Sequence, residues 1–179
     1  MNIKIRKMVL TSLFIALGVV LPQIFHMFEL GKVISPMHFT VLICGLLLGG
    51  YYGFACGVIT PFLAYLIFTR PPLFPVGLSM AIELGIYGFI SGILFTKLKL
   101  FKNDKMNLIF SLLVAMIIGR AAATLVNAIL YIYGASNNNF GAYLNILFIA
   151  GLPGIILQIL IIPPVVMAVQ NHFGKEESI

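Results

Sequence analysis

The chain has 179 residues, 61% of them hydrophobic and 9% charged, and carries a formal net charge of +6. A soluble domain devotes about a quarter of its residues to charge in order to solvate its surface. A water-soluble globule is therefore excluded, and with it nucleic-acid binding as the meaning of the basic balance. A membrane helix needs about 20 apolar residues, so this length holds roughly six spans with short connections and no soluble catalytic domain.

In chain order, helix one is expected over residues 4–27, with Lys4, Arg6 and Lys7 at its start. Its length, and the lack of a cleavage site before Pro22, mark a retained helix rather than a signal peptide. Ser12 and Ala16 form a small-xxx-small pair on it, with Gly18 nearby, a spacing that lets another helix approach closely. A polar stretch with Glu29, Gly31 and Lys32 leads into helix two, 36–49, where Ser35 suits the N-cap and Pro36 the first turn. Helix two reaches only about 21 Å at the helical rise, short for a span. Helix three, 52–69, is expected to break at Pro61. Gly45, Gly49, Gly53 and Gly57 form a small-residue ladder around the turn between these two helices and are assigned to internal contacts. Cys44 and Cys56 lie in apolar runs as packing residues, and two cysteines establish neither a metal site nor an oxidised framework.

A stiff connection, Arg70-Pro71-Pro72-Leu73-Phe74-Pro75, precedes helix four at 76–97. A basic loop holds Lys97, Lys99, Lys102 and Lys105 against Asp104. Helix five follows at 106–133, then a polar turn with Asn137, Asn138 and Asn139, then helix six at 142–171 with Pro153, Pro163 and Pro164 inside it. The N-terminus, the four-to-five loop and the C-terminus carry eight of the eleven Lys and Arg, leaving Lys32, Arg70 and Arg120. The positive-inside bias then places both termini in the cytoplasm, which requires an even number of spans. The fold class is an all-α integral membrane bundle of six helices, forming a single domain over 1–179. Tyr51, Tyr52, Tyr65 and Tyr133 suit an interfacial aromatic belt. No internal repeat is visible, which weighs against an inverted-repeat transporter.

Ionisable and polar groups inside a bilayer are costly, so each is a functional candidate. Arg120 falls about 20 Å below the outer end of helix five, with Gln158 of helix six at a similar depth. Glu83 of helix four lies about 10 Å below its outer end, matched by Asn127. Arg120, Thr124, Asn127 and Tyr131 share one face of helix five, and Glu83 and Tyr87 share a face of helix four. The inference is a polar, outward-opening cavity between helices four, five and six, with His38 at its mouth. The alternatives are a mutually neutralising Arg120–Glu83 pair and interhelical hydrogen bonds from Asn127 and Gln158. No nucleophile triad, metal cluster or phosphate-cradling loop followed by Lys is present, so neither an enzyme nor a cofactor is expected.

Several segments together resemble the substrate-binding S component of energy-coupling factor (ECF) vitamin transporters. They are the basic start followed by Leu10–Gly18, the Ser35–His38 approach to Gly45–Gly53, the Arg70–Pro75 loop, the Gly119-Arg120 pair and Pro153–Gln158. The resemblance spans nearly the whole chain. It implies a multi-pass protein of a prokaryotic plasma membrane that binds a vitamin from outside and associates with a transmembrane coupling subunit and two cytoplasmic ATPases. It also implies a coupling-subunit contact of Ala-xxx-Ala type on helix one. Ser12 and Ala16 match those positions, with Ser a departure from the first Ala. The implied pocket opens outward beneath the one–two, three–four and five–six loops.

For substrate, Arg120 beside amide and hydroxyl groups suits a small hydroxylated carboxylate such as pantothenate. Glu83 facing the ligand would instead suit pyridoxine or a hydroxymethylpyrimidine. A self-sufficient secondary transporter or channel is the competing class.

Overall fold

The computed structural model describes residues 2–27, 36–133, 141 and 151–173. Among these residues run the long helices α1 (Ile3–Met27), α2 (Pro36–Leu48), α3 (Gly50–Phe68), α4 (Leu78–Ile93), α5 (Asp104–Ile132) and α6 (Leu152–Phe173). Irregular turns at Leu73–Gly77 and Leu94–Leu98 extend α4 into an apolar run from Leu73 to Leu98. Among the described residues five runs are long and apolar enough to cross a bilayer, and α2 is a shorter sixth. With no strand among the described residues, the chain is an all-α membrane bundle.

The boundaries differ from the sequence expectation in ways that have local causes. α3 starts at Gly50, because Gly49 alone separates it from α2, with φ +102, a backbone conformation open mainly to glycine. Pro61 does not break α3, which runs unbroken to Phe68. Its ring removes one backbone bond, but it is buried among neighbouring helices that hold both flanks. α5 starts at Asp104 because the Asn103 side chain caps it, accepting from Lys105 N at 3.1 Å. Expectations for Ser35, the 28–35 stretch and residues 142–150 of helix six lie outside the described residues.

Burial sorts the helices into centre and rim. Of the most apolar stretch of Leu73–Leu98, 56% is buried, against 22% for Ile3–Met27 and for Leu152–Asn171, so α4 is central while α1 and α6 face outward. α2 is also central: Val41, Leu42, Cys44 and Leu46 are all at 0% exposure. α4 packs on α2, α3 and α5, and α6 packs on α2 and α5.

Glycine sets how closely these axes approach. A Cβ on Gly45 or Gly53 would run into the Gly88 carbonyl, and one on Gly57 into the Leu84 carbonyl. The small-residue ladder is therefore internal. It closes on matching glycines of α4, Gly88 and Gly92, in the way small residues let membrane helices approach. Gly49 stands outside it, where a Cβ would meet only the Thr96 Oγ1 at 4.0 Å. The two free cysteines, Cys44 of α2 and Cys56 of α3, are buried.

Candidate functional site

Ser79, Glu83 and Tyr87 recur at four-residue spacing on α4, which puts them on one helical face, and all three are buried. Glu83 is 5% exposed and Tyr87 0%. The Tyr87 hydroxyl donates to Glu83 Oε1 at 2.9 Å.

Opposite this face, α5 presents a glycine. A Cβ on Gly119 would overlap the Tyr87 ring edge and come within 3.2 Å of the Glu83 carbonyl oxygen. Tyr87 lies one turn, about 6 Å, deeper than Glu83, so Gly119 brings the next residue, Arg120, to the level of the pair. The Arg120 charge acts on both the Glu83 carboxyl and the Tyr87 hydroxyl. Its Nε and Nη1 are buried with no hydrogen-bond partner among the described residues. A buried donor left unmade costs about 1–3 kcal/mol, and more when it is charged. Two such donors on one guanidinium are matched by no acceptor among the described residues.

The remaining residues expected at the site are distributed unevenly. His38 meets the Tyr87 ring edge to face, with centroids 5.5 Å apart. Asn127 Nδ2 donates to Ser79 Oγ and, at 2.8 Å, to the Ala123 carbonyl, so it ties α5 to α4. Thr124 Oγ1 donates to the Arg120 carbonyl at 2.8 Å, a bond back into its own helix. Gln158 is 2% exposed on α6, and no hydrogen bond among the described residues joins it to Arg120. Tyr131, on the same stripe of α5, is 50% exposed. Ser12 and Ala16 are exposed on α1. Gly18 instead points inward, where a Cβ would meet Thr40 Oγ1 at 2.7 Å.

A cavity of about 360 Å³ opens above this cluster, lined by Gln23 and His26 of α1, His38 of α2, Arg70 and Pro72 of the α3–α4 connection, and Met80 of α4, among others. His38 joins the two layers: one side lines the cavity and the other meets Tyr87. Part of helix six, which bounds the cavity expected between helices four, five and six, lies outside the described residues. The cavity of the described residues lies between α1, α2 and the α3–α4 connection, while at the α4–α5 seam the Tyr87 ring packs against Gly119.

A family profile for the substrate-specific component of ECF transporters matches residues 6–166. The chain belongs to that family. As a substrate-specific component it is a transport subunit that binds a vitamin or related micronutrient and works with the ECF module. No curated protein and no solved structure gives a significant match.

Sequence reasoning missed several residues of this S component. Ser79 shares the four-residue spacing of Glu83 and Tyr87, and that periodicity was a sufficient signal for it. Gln23, His26 and Arg70 had no such signal, because they come together only when the end of α1 meets the α3–α4 connection.

Proposed function

We propose that this S component binds a small hydroxylated carboxylate, with pantothenate the leading substrate, and that Arg120 receives its acid group. The observation that carries the reading is the half-buried Arg120, whose buried Nε and Nη1 have no hydrogen-bond partner among the described residues. A charge-assisted, potentially bidentate bond to a carboxylate satisfies both nitrogens at once. Glu83 is engaged by Tyr87, which supports treating it as a neighbour that tempers Arg120 rather than as its ion-pair partner. His38 supplies a further polar contact from the cavity side, and Asn127, Thr124 and Gln158 are assigned to orienting the polar body of the ligand.

The basic end, with Lys4, Arg6, Lys7, Lys97, Lys99, Lys102 and Lys105, is assigned to the cytoplasm of a prokaryotic cell, so the cavity opens outward. The exposed Ser12 and Ala16 supply the contact for a transmembrane coupling subunit, which brings two cytoplasmic ATPases. A second reading rests on Glu83: a buried carboxyl beside the cavity layer favours a weakly basic ring such as pyridoxine or a hydroxymethylpyrimidine.

Binding of a vitamin panel to the detergent-solubilised chain tests the substrate. Tight pantothenate binding supports the first reading, while tight pyridoxine binding with pantothenate silent replaces it by the second. Recovery of a coupling subunit and two ATPases with the tagged chain tests the assembly, whereas full uptake by the purified chain alone would make it a self-sufficient transporter.

A further inference from the structure

The cavity above His38 is a different chemical environment from the Arg120 layer. Its polar lining consists of Arg70, His26, His38 and Gln23, and no carboxylate side chain lines it among the described residues. Every one of these side chains can donate a hydrogen bond, and Arg70 carries a permanent charge.

Arg70 is also held in place rather than carried on a free tether. Thr69 before it ends α3 in a left-handed conformation, φ 57, with its N–H on the Tyr65 carbonyl at 2.7 Å. Pro71 and Pro72 follow it, and the Pro72 carbonyl accepts from Gly77 N at 2.9 Å. The backbone on both sides of Arg70 is therefore pinned to α3 and to the start of the α4 run.

We propose that this cavity is an outer anion site, in which Arg70, with His26 and Gln23 beside it, holds the acid group of the incoming ligand before that group passes His38 to reach Arg120. The site rests on the reading of the substrate as a carboxylate and adds to it a separate station with its own residues. An exposed cation at the mouth of a low-dielectric cleft raises the local concentration of anions, and its effect is screened within about 8 Å at physiological salt. Arg70 thus governs the rate of arrival and Arg120 the rate of escape.

Surface plasmon resonance with the solubilised, immobilised chain separates the two, with pantothenate and its neutral alcohol analogue pantothenol as probes. Arg70→Gln is expected to slow pantothenate association about threefold or more in low salt, with the deficit shrinking at high salt. Dissociation stays unchanged, as does association of pantothenol, and Arg70→Lys keeps the parent rate. In an Arg120→Ala background the weak pantothenate binding that remains is lost on adding Arg70→Gln. Normal pantothenate binding with an association rate indifferent to Arg70→Gln overturns the outer site alone. Failure of pantothenate and of other small carboxylates to bind the parent chain overturns both this site and the substrate reading. If Arg70→Gln does not fold, the charge-conserving Arg70→Lys and the single substitution His26→Gln carry the test: unaltered kinetics in His26→Gln, with a loss in Arg70→Lys, would contradict a role for charge.

Discussion

The ring of Tyr87 lies so close against the backbone of Gly119 that a single added methyl at position 119 would overlap it. This contact seats the Tyr87–Glu83 hydrogen bond beside Arg120, and it makes a glycine in the middle of α5 a requirement of the site. Gly119→Ala is expected to displace the ring, cost about 1–3 kcal/mol as other overpacked cores do, and weaken ligand binding at least tenfold. Thermal unfolding in detergent together with calorimetric titration checks both effects. Shrinking the ring in Gly119→Ala/Tyr87→Leu should restore stability without restoring binding, whereas recovery of both would reduce Tyr87 to a packing residue.

Glu83→Gln separates the two substrate readings. The amide oxygen still accepts from the Tyr87 hydroxyl, so the fold holds, while the negative neighbour of Arg120 is removed. A carboxylate ligand then binds several-fold more tightly, since an opposite charge no longer competes for the guanidinium. A weakly basic ligand would lose affinity instead. Titration of pantothenate and of pyridoxine into the same variant gives the sign directly.

Much of this arrangement was legible from spacing and rarity, and the rest was not for a definable reason. The spans follow from apolar runs, and Arg120 and Glu83 stand out because charges are scarce in such runs. Tyr87 follows from its four-residue offset from Glu83. Periodicity reports which residues share a face of one helix but not which faces meet, so the Gly119–Tyr87 contact and the His38–Tyr87 ring pair were not readable. The same limit explains Asn127, whose bond to Ser79 depends on α4 and α5 being neighbours. Pro61 was misread as a break because a proline ends a helix in water more readily than one held between membrane helices.

Ser12 and Ala16 lie on the exposed side of α1, away from the cavity, so bulk added there should separate binding from transport. Ser12→Leu/Ala16→Leu is expected to leave vitamin affinity within about twofold, because surface changes away from such features are usually worth less than about 0.5 kcal/mol. Recovery of the coupling subunit on purification should fall sharply, and uptake in cells with it. Retained co-purification would move the coupling contact to another face.

The central claim is that Arg120 is open to the ligand rather than spent on the fold, and titration of pantothenate into the parent chain and into Arg120→Ala tests it most directly. The account predicts saturable binding to the parent and a loss of about tenfold to a hundredfold or more in the variant, the range expected for a charged hydrogen-bond partner. The variant should remain folded, because Nε and Nη1 make no hydrogen bond among the described residues. Unchanged affinity in a folded variant, or a variant that binds normally but unfolds early, would contradict it and make Arg120 a structural charge.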